Sequence, residues 1–274
     1  MTKLLKIGIV GCGAIGSSLA RTIAKDFIGN SKLAGLYDID SQKAKLLSRL
    51  ICGSERLVAK DISSLIKSSD LVIEAASSRS SFEIAKVVLA KARDIMIMSV
   101  GGIVANYKEL SVLANKFNAK IYLPSGAISG IDALIAANMG KIKKVTLTTR
   151  KSPLSFKGVK FVEEKGICLA SLKKETVLFS GPAKQAVNLF PQNINVAAVL
   201  SIAGIGQEKT RVRIIACPGL KKNIHEIEIV SVAATISTRT ENILHPDNPK
   251  TSYLAVLSAI AALKQILDPI KVGT

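Results

Sequence analysis

Three glycines and one acid in the first forty residues set a chemical question. Within "IVGCGAIGSSLA", Gly11, Gly13 and Gly16 fall in a G-x-G-x-x-G spacing, directly after an apolar run and directly before a helical pattern. In that context the first glycine permits a tight turn, the second lets an anion approach the backbone, and the third lets helix and strand pack closely. The leading N–H groups of the helix, at Ala14, Ile15 and Gly16, are then aimed at a pyrophosphate. Further on, "GLYDID" places Asp38 at the end of the second strand. A carboxylate there accepts from ribose hydroxyls and repels a 2′-phosphate. The expected ligand is therefore NAD, with NADP as second choice. Ala75 and Ala76, in "EAASS", end a later strand at the sheet edge where open α/β folds bind ligands, and they suit either cofactor lining or plain strand-end packing.

The second candidate is an imidazole. His225 stands near the start of "NIHEIEIV", in a chain with only two histidines. A group titrating near neutrality suits proton movement at an amine or imine. Alternation puts His225 on the face of Ile227 and Ile229, with Glu226 and Glu228 opposite, so a buried, hydrogen-bonded structural histidine also fits. His245, in the turn-like "HPDNP", reads as a surface loop residue.

The elements that must position these groups fall into two sets. Up to about Ser125, short apolar strands ("KIGIV", "KLAGLYD", a short one near Val58, "DLVIEA", "IMIMSV", "KIYLP") alternate with helical patterns, which predicts crossovers and a Rossmann-type, doubly wound parallel sheet. Beyond it, "KVTLTTRK", "ETVLFS", "RVRIIACP", "IHEIEIVSV" and "ATISTRTENI" are longer strands with period-2 alternation, and the helices are segregated, which predicts an α+β domain on a mixed or antiparallel sheet. The apolar stripe Leu254, Leu257, Ile260, Ala261 and Leu263 marks a last helix expected to return to the first domain. The expected division is residues 1–125 plus 248–274 for dinucleotide binding and 126–247 for the substrate.

Composition narrows the class. With 48% hydrophobic residues in 274, the chain has ample material for a core, and a folded chain is expected over a disordered one. The net charge of +18 comes from scattered Lys and Arg, and with only 4% aromatic residues to stack on bases it points to attraction of small anions ahead of nucleic acid. Cys12, Cys52, Cys168 and Cys217 lie far apart with no C-x-x-C pair, so no zinc or other metal site and no disulfide framework is expected, and a reducing cytoplasm is. The apolar N-terminal run is too short for a signal sequence. The uncharged stretch Gln185–Gln207 is broken by Pro191, Gln192, Asn193 and Asn195, so no membrane span is expected.

Taken in order, "SGAISGIDAL", "FPQNINVAA", "NIHEIEI" and "NPKTSYLAVLSAIA" resemble the L-aspartate dehydrogenase family over nearly the whole chain. The chain is more loosely similar to homoserine dehydrogenase and dihydrodipicolinate reductase, which share a two-domain plan. The resemblance implies NAD- or NADP-dependent oxidation of the α-amine of L-aspartate to iminoaspartate, which either hydrolyses to oxaloacetate and ammonia or enters the quinolinate branch of NAD synthesis. It also implies cofactor contacts from Ala127 and Asn193, an active-site role for His225, and a homodimer.

On the residues alone, Asn193 and Asn195 sit just before a helical run, where each suits an N-cap. Asn195 is also a substrate candidate. So are Lys250, Thr251 and Ser252, read as the start of the last helix, where side chains and free N–H groups can bind a carboxylate. Arg150 and Lys151 in "TLTTRKS" are further candidates for a carboxylate. Two other readings stay open: reduction of another small acidic metabolite such as a cyclic imine, and a non-catalytic NAD-binding sensor.

Overall fold

Apolar runs of four to six residues with no polar face make strands that must be covered on both sides, and the computed structural model builds a parallel sheet from them. It describes residues 4–190, 194–246 and 248–273, with the backbone alone for 248–250. The chain divides into two units, Met1–Pro124 with Val256–Lys271, and Ser125–Ala255 with Val272–Thr274.

In the first unit, β1 (Leu5–Val10), α1 (Ala14–Asp26), β2 (Ser31–Tyr37), α2 (Ser41–Cys52), α3 (Ile62–Ser68), β3 (Leu71–Glu74), α4 (Ser81–Leu89), β4 (Asp94–Ile97), α5 (Tyr107–Lys116) and β5 (Ile121–Tyr122) follow one another. The strands are all parallel in the order β2-β1-β3-β4-β5. The chain starts at β1, moves outward to β2, then crosses back to β3, so the order reverses beside β1 and a crevice is left at the carboxyl ends of β1 and β3. Ile7, Ile9, Leu71 and Ile73 are buried in one core with Leu19 and Ile23 of α1 and with Ala259 and Leu263 of the last helix.

One local expectation is overturned. Val58 makes only an isolated bridge to Leu36, because Asp61 starts a helix almost at once. Its carboxylate accepts from the N–H of Ser64 while the Ser64 hydroxyl accepts from the N–H of Asp61, a reciprocal cap that fixes α3.

The second unit runs α6 (Ile131–Ala137), β6 (Ile142–Lys151), α7 (Lys160–Glu164), β7 (Thr176–Pro182), α8 (Ala183–Leu189), α9 (Asn195–Ala203), β8 (Arg211–Ala216), β9 (Asn223–Ser231), β10 (Thr235–Asn242), β11 (Leu244–His245) and β12 (Asn248–Ser252). Then α10 (Tyr253–Leu267) passes from this unit into the first. The main sheet is ordered β10-β9-β6-β8-β7, with β6 and β8 parallel and the other pairs antiparallel, the mixed sheet expected from the alternation.

One face of that sheet, carrying Val145, Leu147, Val212, Ile214, Ile227 and Ile229, is buried with Leu134, Leu200, Phe156 and Phe190. The opposite face carries ion pairs, with Glu226 between Arg150 and Arg239. Helix α7 and the 3₁₀ turns around it were not foreseen, since segments of three to five residues carry too few turns for a helical stripe to show.

Candidate functional site

The glycine turn does what its spacing requires. Gly11 has φ +99°, and a Cβ there would lie 2.4 Å from the carbonyl oxygen of Ala75. A Cβ on Gly16 would lie 1.9 Å from the carbonyl oxygen of Gly11, so helix and strand approach only because it is absent. Gly13 differs: its backbone is in an ordinary extended conformation, and a Cβ would meet nothing within 4 Å. Its hydrogen therefore serves open space in front of α1, whose first turn has no acidic residue and no side-chain cap. Ala14, Ile15 and Gly16 form that turn, where a helix end attracts an anion.

Gly11, Gly13, Tyr37, Asp38, Ala75 and Ala76 line a single cleft of about 630 Å³. Asp38 is fixed at its rim. One carboxylate oxygen accepts from the N–H of Cys12 (2.6 Å) and the other from the N–H of Asp40 (2.9 Å), each oxygen keeping a lone pair for a ribose hydroxyl. Burial, with the Asp38 charge adding to it, pushes the Cys12 thiol up to about 12, so it is a small filler and no nucleophile. An adenine dinucleotide fits this arrangement. Gly11, Gly13 and the α1 N-terminus would hold its pyrophosphate, and Asp38 its ribose.

Sequence reasoning missed Glu74. It is fully buried at the end of β3, accepting from the N–H of Ala76 (2.9 Å) and the N–H of Ser99 (3.0 Å), and burial raises its carboxyl above the usual range. One side chain thereby ties together the segments that follow β3 and β4. The signal was present as an acid closing an otherwise apolar "LVIE".

In the second unit the buried sheet face changes character along its length. Val145 and Leu147 of β6 give way to Thr149 and Lys151, Ile229 and Ile227 of β9 to His225 and Asn223, and on β10 Ile236 leads to Thr240 and Asn242. Register aligns Thr149, His225 and Thr240 across three strands, and Asn223 with Asn242.

His225 is 3% exposed, with Nδ1 3.0 Å from the Thr149 hydroxyl. Burial first, and then the nearby Lys151 ammonium, pull its pKa down to about 3, so the imidazole is neutral throughout the physiological range. A solvated imidazole titrates near neutrality and this one does not, and its burial and its bond to Thr149 are those of the buried, hydrogen-bonded histidine that strand alternation also allows. Lys151 is 8% exposed, and burial lowers its pKa to about 8. It is the group here that titrates near working pH. Its inward direction could be read from its period-2 spacing with Leu147 and Thr149, but its burial could not.

Ala127 enters the same band through its carbonyl, which accepts from Asn242 Nδ2 (3.0 Å) and from the Thr240 hydroxyl (3.2 Å). Asn193 lies outside the described residues. Asn195 is the exposed first residue of α9, and the N-cap position that either asparagine was expected to fill belongs to Ile194.

Lys250, Thr251 and Ser252 are not the start of the last helix. They lie in β12, which pairs with β11, and the helix begins at Tyr253, whose own N–H is taken by the carbonyl of Ile243. Ser252 is buried and 3.5 Å from the amide nitrogen of Asn223. His245 is likewise no surface residue: it is 4% exposed in β11, its ring edge-on to Tyr253 at 5.5 Å. Among the described residues no cluster of three or more His, Cys, Asp or Glu could hold a metal, and no helix is long and apolar enough to cross a membrane.

Comparison with known proteins bears on both units. A family model described as homoserine dehydrogenase, NAD binding domain, matches residues 11–124, and one described as aspartate dehydrogenase, C-terminal, matches residues 132–266. The chain is 47% identical over 274 residues to an L-aspartate dehydrogenase of Methanosarcina barkeri, covering 99% of this chain and 100% of that one. It is 40% identical over 274 residues to an L-aspartate dehydrogenase of Nitrosopumilus maritimus, covering 98% and 99%. The crystal structure of aspartate dehydrogenase from Thermotoga maritima superposes with a TM-score of 0.71 at 26% identity, covering 99% of this chain and 100% of that one. With an NAD(P)-binding domain in front and the aspartate dehydrogenase C-terminal domain behind it, the chain belongs to the L-aspartate dehydrogenase family of oxidoreductases.

Proposed function

We propose that this protein oxidises the α-amine of L-aspartate, giving iminoaspartate and then oxaloacetate and ammonia, with His225 as the acid and base at nitrogen. A bound nicotinamide supplies the hydride acceptor. The observation that carries the reading is the polar end of the buried sheet face, where neutral His225 and the cation Lys151 sit together on otherwise apolar strands.

Hydride can leave Cα only when the amine is neutral, and a neutral imidazole held by Thr149 can take the proton that the amine gives up. Lys151 supplies a positive charge for one carboxylate of the substrate, in surroundings that strengthen the attraction, and the +18 net charge draws the anionic substrate in. Ala127, Asn193 and the glycine-turn residues are assigned to the cofactor. Asn195, Lys250, Thr251 and Ser252 are secondary candidates for the substrate. The imine would also feed NAD biosynthesis, and the enzyme would work as a cytoplasmic homodimer that binds neither nucleic acid nor membrane.

The test is absorbance in the reduced-nicotinamide band on mixing the protein with NAD or NADP and aspartate, repeated with His225→Ala. Turnover with aspartate that is absent with other amino acids and falls by about 10²-fold or more in the variant is the expected result. A comparable rate in His225→Ala discards the role of the imidazole. Cofactor binding with no turnover on aspartate favours either a related reductase, which a cyclic imine would reveal, or a sensor.

A further inference from the structure

The side chain of Asn242 is held at one end only. It is 2% exposed, and its Nδ2 donates to the carbonyl of Ala127 at 3.0 Å. That contact fixes which way the amide points, since a carbonyl accepts only from the NH₂ end. The other end, Oδ1, is buried and has no hydrogen-bond partner among the described residues. A buried acceptor left unmatched is costly and seldom kept without a use.

Register puts Asn242 opposite Asn223, on the same face as Thr240 and His225 and two residues along β10 from the Thr240–His225 pair. Asn242 is therefore a diagonal neighbour of His225 on the buried face that carries Lys151.

Resting on the proposed function, we propose that Asn242 Oδ1 accepts a hydrogen bond from the α-nitrogen of the substrate, making Asn242 the residue that selects an amino diacid over a diacid without the amine. An amide oxygen suits the task. It orients N–H without carrying the negative charge that would hold the nitrogen as ammonium, the form that cannot release hydride. A site built around such an acceptor rejects a ligand lacking the donor, because Oδ1 then stays unmatched.

The test compares aspartate with succinate, a diacid of the same length with no donor at Cα, used as a competitive inhibitor. In Asn242→Leu, close in shape, KM for aspartate should rise about tenfold while Ki for succinate stays within about twofold. Thr240→Val, which removes the other bond to the Ala127 carbonyl and leaves Oδ1 in place, should keep the discrimination. Asn242→Thr, a β-branched residue at home in a strand, repeats the measurement should the leucine variant fail to fold.

Equal losses for aspartate and succinate would reduce Asn242 to a structural brace and overturn the proposal. Unchanged discrimination with weaker binding of NAD or NADP alone would overturn it too, giving Oδ1 to the carboxamide of the nicotinamide. Absence of aspartate turnover in the unaltered protein would instead be a failure of the proposed function, and is visible before any variant is made.

Discussion

Replacing Lys151 by Met should make the protein more stable and less active, by an amount that depends on pH in a defined way. Lys151 is 8% exposed, and burial lowers its pKa from 10.5 to about 8. At 1.36 kcal/mol for each tenfold change, that gap makes the charged amine cost the fold ~3 kcal/mol at neutral pH. Between about 8 and 10.5 the unfolded chain binds the proton and the folded one does not, so the stability of the unaltered protein rises with pH there. Methionine, of similar length and without charge, has no such dependence.

The variant should therefore unfold ~3 kcal/mol later at pH 7, equivalent to a rise of roughly 6–12 °C in Tm for a domain of this size. The difference should shrink to less than half by about pH 9.5 and vanish above the pKa of a free lysine. Urea titrations of both proteins at matched pH values read it, and the comparison cancels the other groups that titrate in alkali. A difference that does not change with pH would refute the claim that burial of this charge is a net cost. Loss of aspartate turnover alongside the gain would give the cost a functional reason.

Three further outcomes are expected. Gly13→Ala should fold with an unchanged Tm yet bind NAD at least tenfold more weakly, because its methyl meets nothing within 4 Å and stands where the anion is proposed to approach. Gly16→Ala should lose about 1–3 kcal/mol of stability or fail to fold, and equal effects at the two positions would refute the division of roles. Asp38→Ser should shift the NAD-to-NADP preference toward NADP by about tenfold or more, read as the ratio of kcat/KM values, and no shift would remove Asp38 from the ribose site. The pKa of His225 is about 3 in the fold against 6.5 when solvated, so the unfolded chain takes up its proton first and stability is lost as pH falls from about 6.5 toward 3. His225→Asn should flatten that acid limb, and an unchanged limb would mean that the imidazole is not desolvated.

What could be read from the sequence differs in kind between the two units. The glycine turn is a local device: Gly11, Gly13, Gly16 and the strand-end Asp38 carry their geometry in their spacing, and Gly11, Gly13 and Asp38 line one cleft. The parallel and mixed sheets follow from runs and alternations that need no long-range knowledge. Helix α3 was readable as well, since Asp61 and Ser64 form a reciprocal cap, but the apolar pair near Val58 drew the reading to a strand. His245, Lys250, Thr251 and Ser252 were misplaced for a different reason. "HPDNPKTS" has the composition of a loop, and its pairing as β11 and β12 depends on tertiary context.

The polar band shows where local reading ends. Alternation orders Val145, Leu147, Thr149 and Lys151 along one face and sets His225 beside Ile227, yet nothing local says that this end of the sheet is covered. Coverage decides the chemistry, because it is burial that takes the imidazole from a group titrating near neutrality to one that stays neutral, and the lysine from a permanent cation to one that titrates near pH 8. Burial alone displaces Lys151, while the Lys151 charge is the second cause, after burial, of the His225 shift. A dicarboxylate bound at Lys151 would cancel that contribution and lift the imidazole toward the range in which it can hold a proton. On the proposed reading, the enzyme without substrate keeps His225 neutral and ready to accept, and the arrival of the substrate's own negative charge makes the accepted proton affordable. An imidazole in water would titrate near neutrality with or without substrate; on the proposed reading the basicity of this one depends in part on the charge of the molecule it acts on.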